Sequence, residues 1–296
     1  MKTSNSGVVP VRAIWGVAII LVLCVTSTVE VSGQKFVQPI LGHRSVEILK
    51  DGNLEFKDLN KNHKIDKYED WRLSVDERVN DLVSKMTIEE KVGFMIISTT
   101  RMAGDQSFQQ GQAKTEITSG FNEDDLVQTT NMFTRKPLPT PNMAAAGTTK
   151  AVLTFNLRHF ILRANTSART IAEWSNNLQA LSESSRLGIP SIVASNPRNH
   201  ITIDNSIGLS VGTTTFSRWP GELGLAAMRD FKLTREFAEI AAQEWTAVGL
   251  RKGYMYMADL ATEPRWQRIE GTFGEDADLA ANMIRSVVLG FQGEKL

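Results

Sequence analysis

The chain has 296 residues with 33 basic and 33 acidic side chains, so its formal net charge is +0. Hydrophobic residues make up 42% and charged residues 22%, which is typical of a folded globular protein and excludes low-hydropathy disorder. The even charge balance excludes a strongly basic surface, so we expect no nucleic-acid partner. The single cysteine, Cys24, excludes an intrachain disulfide framework and a cysteine-rich metal site.

Residues 1–33 have the pattern of a secretory signal peptide. Lys2 and Arg12 supply basic charge, residues 13–25 form an apolar run, and small residues follow as far as Gly33. A membrane-spanning helix needs about 20 apolar residues, more than this run offers. We therefore expect cleavage after Gly33, export to a periplasm or the extracellular space, and no stable membrane anchor. An uncleaved anchor is the alternative.

Residues 58–69, called the calcium loop below, match the spacing of an EF-hand loop within a leader of residues 34–85. The predicted ligands are Asp58, Asn60, Asn62, Lys64 through its carbonyl oxygen, Asp66 and Glu69. His63 departs from the template, because loop position six is normally glycine, where the chain turns sharply. A bound Ca²⁺ would be structural. The alternative is a polar turn that binds nothing and leads into a helix.

Residues 86–296 alternate between helix and strand patterns. A capping box and apolar spacing predict helices over residues 87–95, 168–187, 234–248 and 275–291, and apolar runs predict strands over 191–195 and 254–257. Residues 100–149 show no sustained period, so we predict long loops bordering a site. The alternation predicts a parallel α/β fold, in which the loops after the strands carry the chemistry.

Polar side chains follow both predicted strands. The candidates are Asn196, Arg198 and His200 after the first strand, and Asp259, Arg268 and Glu270 after the second. Arginine binds hydroxyl and carboxylate groups in fixed geometry, and Trp266 offers an apolar face to a sugar ring. These residues favour a polar ligand with many hydroxyl groups. A loop held together only by salt bridges is an equal alternative.

The loop ADLATEPRWQRIEGTFGED, residues 258–276, resembles the signature loop of glycoside hydrolase family 3, the β-glucosidase family. MTIEEKVGFM is similar to the family's opening helix, GIPSIVASN to its second substrate strand, and FSRWPGELGLAA to its Phe-Pro-x-x-x-Gly-Leu-Ala run. The leader segment DLNKNHKIDKYEDWR is similar to one in some bacterial members. The resemblance extends over most of the chain.

The resemblance implies a (β/α)8 TIM-barrel-like N-terminal domain, incomplete at its C-terminus, over residues 86–296. It also implies an oligosaccharide or β-glycoside substrate, from whose non-reducing end β-linked glucose or a related sugar is released. The implied mechanism is a retaining one with two carboxyl groups, and it requires no cofactor for catalysis.

The resemblance also assigns roles to single residues. Arg268 matches the arginine that hydrogen-bonds hydroxyls of the sugar in the −1 subsite. Asn196 matches a position where many members have an Asp that binds the same sugar, so its neutral amide affects sugar preference. Glu270 and Asp259 are supporting groups, with a purely structural role as the alternative for Asp259. His200 is either a ligand contact or a structural histidine.

The family's catalytic carboxyl groups are expected beyond Leu296. The nucleophile of the family lies in a Ser-Asp-Trp-like segment after a Lys-His pair, and the acid/base comes from a later domain or loop. About 210 residues follow Met86, whereas a complete barrel typically needs about 250. We therefore expect an inactive N-terminal fragment of a longer exported β-glycosidase. The alternative is a non-catalytic exported protein, built on a truncated barrel, that binds carbohydrate or calcium.

Overall fold

The structure, a computed structural model, describes residues 36–105, 115–131, 134, 136–200, 215–254, 256–266 and 268–293. The predicted signal peptide lies outside these residues. Within them, none of the helices is long and apolar enough to cross a membrane.

The leader begins with an antiparallel hairpin that the sequence did not predict. Strands β1 (Ile48–Asp51) and β2 (Leu54–Lys57) pair with Ile48 opposite Lys57. The calcium loop follows, and helix α1 (Val75–Lys85) begins after Ser74. The Ser74 side chain accepts a hydrogen bond from the Glu77 amide, and the Glu77 carboxylate accepts one from the Ser74 amide. This reciprocal capping box fixes where the helix starts.

Helices and strands alternate along the rest of the described chain. The elements in order are α2 (Ile88–Phe94), β3 (Ile97–Thr100), β4 (Leu126–Thr130), β5 (Pro137–Ala145), α3 (Thr148–Leu153), β6 (His159–Leu162), α4 (Ala168–Ser184), β7 (Ile192–Ser195), α5 (Glu222–Met228), α6 (Phe231–Ala247), β8 (Lys252–Gly253), a 3₁₀ helix (Ile269–Gly271) and α7 (Ala277–Gln292). The predicted helices are confirmed, with ends shifted by at most three residues.

Four parallel strands form the central sheet, in the order β3-β6-β7-β8. His159 of β6 lies beside Ile97 of β3 on one side and Ile192 of β7 on the other. Each strand therefore pairs with the next parallel strand along the chain, and the predicted parallel α/β fold is confirmed. Since such crossovers are right-handed, a sequential order places successive helices on one face, as in an arc of a (β/α) barrel. Closure into eight strands stays a prediction.

Two apolar clusters hold the helices in place. The first joins Trp174 and Leu178 of α4 to Phe160 of β6 and Trp245 of α6. The second joins α5, α6 and α7, and it includes Leu225, Phe237, Ala241, Met283 and Val287. Most of the apolar positions that predicted these helices from their spacing therefore face the interior, whereas Val288 on α7 is exposed.

The region between β3 and β6 differs from the predicted long loops. β4 and β5 pair as an antiparallel hairpin, with Leu126 opposite Ala145, and α3 begins after Gly147. β5 contains three prolines and most of its residues are exposed, so it lacks the apolar alternation of a half-buried strand. The last sheet strand also differs: it covers only Lys252–Gly253 and ends before all of the predicted residues 254–257.

Candidate functional site

The carboxyl ends of three neighbouring strands carry polar side chains. Arg163 directly follows β6, Asn196 follows β7, and Tyr254 follows β8. The carboxyl ends of parallel strands lie along one edge of the sheet, which is where α/β proteins bind ligands. The structure therefore places the predicted residue Asn196 at the edge expected for a site.

Asn196 forms a direct contact with Arg163 at this edge. The Arg163 Nη1 donates a hydrogen bond to the Asn196 Oδ1 over 3.2 Å, and Asn196 is only 4% exposed. Burial lowers the pKa of Arg163, the phenol of Tyr254 opposes this, and the positive charge of Arg268 lowers the pKa further. The charge of Arg268 therefore acts on Arg163.

Arg163 is a site residue that the sequence pattern did not predict. The sequence signal for this residue is the run HFIL, residues 159–162, which is followed directly by the charged Arg163. In the same way, the strand of residues 192–195 is followed directly by the polar Asn196. That run lies in a stretch with no predicted strand, so nothing marked the residue after it as a strand-end position.

Arg198 lies in the interior rather than at a ligand-binding surface. Its guanidinium donates from Nε to Ser195 Oγ (2.6 Å), from Nη1 to the Ala164 carbonyl (2.9 Å) and from Nη2 to the Leu162 carbonyl (3.0 Å). Arg198 is fully buried. Burial lowers its pKa to about 10, against the opposing effect of Asp105, so it stays charged at neutral pH. The predicted ligand contact of Arg198 is corrected, because its three nitrogens are bonded to the protein.

His200 is likewise enclosed, which supports the structural alternative for this residue. Nδ1 donates to the Pro220 carbonyl over 3.1 Å, because a carbonyl can only accept. Nε2 lies 3.3 Å from Glu222 Oε2 without forming a hydrogen bond. The rings of Phe237 and Tyr256 pack against the imidazole at centroid distances of 6.2 and 5.7 Å. With 3% exposure, His200 offers almost no surface to a ligand.

The loop after β8 presents Arg268. It closes on itself where the Ala261 amide donates to the Gly274 carbonyl over 3.0 Å, and the buried side chain of Phe273 anchors it. Arg268 is half-buried, and among the described residues its enclosed Nε has no hydrogen-bond partner. A buried donor without a partner is costly, so this atom is suited to an oxygen supplied by a ligand.

Two predicted supporting groups and one ion pair lie on the surface of the same loop. Asp259 and Glu270 are exposed, and within the described residues neither carboxylate is hydrogen-bonded to Arg268. The Arg265 Nη2 lies 2.8 Å from Glu263 Oε2, and the hydrogen bonds from the Arg265 side chain and amide lower the pKa of Glu263 to about 2. The salt-bridge role considered as the alternative for this loop therefore applies to Arg265, whereas Arg268 is available to a ligand.

The calcium loop has the turn that its template requires. His63 adopts φ of 60°, the left-handed conformation that glycine usually supplies at this position. The Asp58 carboxylate accepts a hydrogen bond from the His63 amide (2.9 Å), and the Glu69 carboxylate accepts one from the Asp66 amide (2.9 Å). The first and last predicted ligands are therefore bonded to the loop's own backbone, and both are buried.

The middle of the calcium loop is held by neutral and cationic donors. The side-chain amides of Asn60 and Asn62 donate to Asp66 Oδ2 over 2.6 and 2.7 Å, and the Lys85 Nζ lies 3.1 Å from Asp66 Oδ1. Burial raises the pKa of Asp66, but these donors outweigh it and lower the pKa overall. The Lys64 amide donates to Asn62 Oδ1 over 2.8 Å. For Ca²⁺ to bind, both Asn side chains would present their oxygens, which a half-turn of each amide achieves.

His63 also takes part in a second group of potential metal ligands. Among the described residues, ligand atoms of Glu47, Asp58 and His63 lie within 4.8 Å of one another. The His63 Nδ1 lies 3.1 Å from Glu47 Oε2 and 3.7 Å from Asp58 Oδ2. Since Glu47 and His63 are largely exposed, this contact is a surface ion pair when the imidazole is protonated.

Comparisons with known proteins agree on one family. Residues 136–296 match the profile described as the glycosyl hydrolase family 3 N-terminal domain. The chain is 38% identical over 259 residues to a periplasmic β-glucosidase/β-xylosidase of Dickeya chrysanthemi, covering 87% of this chain and 35% of that protein. It is 37% identical over 230 residues to β-glucosidase C of Emericella nidulans, covering 77% of this chain and 31% of that protein.

A solved structure supports the fold. A β-glucosidase from Erythrobacter marinus superposes with a TM-score of 0.54 at 19% identity, covering 78% of this chain and 25% of that one. The chain spans about a third of the length of the curated relatives it matches.

Proposed function

Because the chain belongs to glycosyl hydrolase family 3, we propose that it forms part of the sugar-binding barrel of an enzyme that hydrolyses β-glycosidic bonds. The relatives named β-glucosidase and β-xylosidase support release of β-linked glucose or a related sugar from a non-reducing end. In this proposal a retaining mechanism uses two carboxyl groups, and this chain supplies part of the −1 subsite.

The observation that carries the proposal is an unpaired donor on Arg268, in the loop after β8. Arg268 holds an enclosed Nε without a partner in the described chain, and a sugar hydroxyl can accept from it. The charge of Arg268 acts on Arg163, which is bonded to Asn196, so all three residues belong to one region. A site with such donors discriminates strongly between sugars. A sugar that lacks the matching hydroxyl leaves the buried donor unpaired, which costs binding free energy.

The architecture and the predicted signal peptide are consistent with this role. The sequential order of the four parallel strands fits the first half of a (β/α)8 barrel, whose carboxyl-end loops hold the site. The relative from Dickeya chrysanthemi is named as periplasmic, which supports export of this protein as well.

Hydrolysis by the full-length protein tests the proposal. We expect cleavage of p-nitrophenyl β-D-glucopyranoside or β-D-xylopyranoside, and a loss of about 10- to 100-fold in kcat/KM for Arg268→Ala, the value of a hydrogen bond to a charged group. Arg265→Ala is the matched control, because Arg265 lies on the same loop but is exposed. Absence of β-glycoside hydrolysis, or equal activity of the two variants, would contradict the proposal. The first result would favour a non-catalytic carbohydrate-binding protein.

We also propose that the calcium loop holds a structural Ca²⁺. The left-handed turn at His63 and the two buried carboxylates at the ends of the loop support this assignment. Asp58, Asn60, Asn62, Asp66 and Glu69 would bind the ion through side-chain oxygens, and Lys64 through its carbonyl. The ion would take the place of the Asn60, Asn62 and Lys85 donors that contact the Asp66 carboxylate.

A further inference from the structure

Arg163 lies beside the residues to which the proposed function assigns the sugar. It directly follows β6, and its Nη1 is bonded to the Asn196 Oδ1 at 3.2 Å. The positive charge of Arg268 acts on it across the same edge of the sheet. A planar guanidinium with several donors is suited to paired oxygen acceptors, such as neighbouring hydroxyls on a sugar ring.

A second arginine, Arg198, holds the backbone on both sides of Arg163. The Arg198 Nη2 donates to the carbonyl of Leu162 (3.0 Å), and Nη1 donates to the carbonyl of Ala164 (2.9 Å). These carbonyls belong to the residues immediately before and after Arg163. The backbone from which the Arg163 side chain extends is therefore fixed by one rigid, fully buried group.

The same guanidinium also supports Asn196. The Arg198 Nε donates to the Ser195 Oγ over 2.6 Å, and the Ser195 hydroxyl donates to the carbonyl of Asn196 over 2.9 Å. Arg198 thus connects the ends of β6 and β7 at the point where Arg163 and Asn196 meet. A buried charge bonded to carbonyls has a well-defined position, because any displacement leaves polar groups unsatisfied.

We propose that Arg163 contacts the sugar together with Asn196 and Arg268, and that Arg198 is the positioning residue that holds Arg163 and Asn196 in place. This inference rests on the proposed function and extends it by two residues. Arg198 itself does not reach the ligand, since its nitrogens are bonded to Ser195, Ala164 and Leu162. The ligand class is a pyranose whose hydroxyl oxygens accept hydrogen bonds from two guanidinium groups.

Binding of D-glucose and hydrolysis kinetics of the full-length protein test the role of Arg163. D-glucose binds without being consumed, so calorimetry gives its Kd independently of turnover. We expect Arg163→Ala to raise the Kd of D-glucose and the KM of p-nitrophenyl β-D-glucopyranoside about tenfold with little change in Tm, and Arg163→Lys to recover part of this loss. Arg169→Ala, an exposed arginine on α4, is the control and should leave both constants unchanged.

A double-mutant cycle tests whether Arg198 acts through Arg163. Arg198→Lys keeps the charge but cannot make all three bonds, so we expect a lower Tm and a raised Kd for D-glucose. In the Arg163→Ala background the same change should raise Kd much less, because the contact that it positions is already absent. A purely structural Arg198 would lower Tm and leave Kd unchanged.

Two results would overturn the inference while leaving the proposed function intact. In the first, Arg163→Ala has the same Kd for D-glucose and the same KM as the unmutated protein. In the second, Arg198→Lys raises the Kd equally in the unmutated protein and in Arg163→Ala. If the unmutated protein neither binds D-glucose nor hydrolyses β-glycosides, the proposed function fails, and this inference fails with it.

Discussion

Glu183, in the last turn of α4, is a buried carboxylate that joins the leader to the rest of the fold. It accepts hydrogen bonds from the backbone amides of Arg44 (2.6 Å) and Ser45 (2.7 Å), and Lys57 Nζ lies 3.1 Å away. Burial raises the pKa of Glu183, but the hydrogen bonds from Ser45, Arg44 and Lys57 outweigh it, so the pKa is lowered overall. The folded state therefore binds this proton less readily than the unfolded state does.

The lowered pKa of Glu183 predicts a pH-dependent contribution to stability. The contribution is present above the ordinary glutamate pKa of about 4.3 and is lost as pH falls through the lower folded-state value. We expect Glu183→Gln to reduce the free energy of unfolding by about 1–3 kcal/mol at pH 7. Urea denaturation at pH 7 and at about pH 3 measures the difference, which should shrink at the lower pH.

Glu173→Gln is the control for this prediction, because Glu173 lies on the same helix in an exposed pair with Arg169. It should change stability little at either pH. If Glu183→Gln lowers the free energy of unfolding by the same amount at both pH values, the charge of the carboxylate contributes nothing to stability.

At the scale of elements, α6 and α7 approach each other closely at Gly290. A Cβ atom at this position would lie 2.4 Å from the Cβ of Ala238 and 2.6 Å from the carbonyl oxygen of Arg235, both on α6. Glycine normally weakens a helix interior, so its presence in α7 is explained by the close contact between the two helices.

This contact predicts that Gly290→Ala destabilises the protein. Alanine has a better helix propensity than glycine by about 1 kcal/mol. The clash with backbone atoms of α6 forces the helices apart, however, so we expect a net loss of about 1–3 kcal/mol in the free energy of unfolding. Thermal unfolding should show a lower Tm. Gly42→Ala, where an added Cβ meets nothing within 4 Å, is the matched control. An unchanged or higher Tm for Gly290→Ala would show that α6 and α7 can separate without cost.

At the scale of the whole molecule, the calcium loop is packed against the α/β core. The Lys61 Nζ donates to the carbonyls of Glu183, Ser184 and Ser185 at the end of α4. Gly188 has φ of +58°, and a Cβ there would lie 2.8 Å from the carbonyl oxygen of Leu59 in the loop. Ordering of the loop is therefore coupled to the region between α4 and β7.

This coupling predicts that Ca²⁺ stabilises the whole fold rather than the leader alone. Exported calcium modules bind with Kd of about 10⁻⁴ M, so about 10 mM CaCl₂ should raise the free energy of unfolding by about 2.7 kcal/mol. We expect a single thermal transition that shifts upward with CaCl₂ but not with NaCl of equal ionic strength. In Glu69→Gln the calcium-dependent shift should disappear. Equal Tm with and without calcium would mean that the loop is a polar turn that binds nothing.

Short-range features were predictable because they depend on neighbours in sequence. The capping box at Thr87 and Glu90 and the apolar spacing of α4, α6 and α7 required only helix geometry. The positive φ of His63 followed from its place in the loop template. The signature loop after β8 indicated the family before any contact was known.

The roles of the site residues were decided by tertiary contacts. Arg163 and Arg198 both follow sheet strands. Arg198 donates to the carbonyls of Leu162 and Ala164, 36 and 34 positions away, whereas Arg163 donates to Asn196, 33 positions away. Sequence by itself determined helices α2, α4, α6 and α7, the parallel α/β class and the family, since periodicity and motifs are local. Only the tertiary structure decided which polar side chain is buried as a support and which lies at the site, because that depends on the strands that meet there.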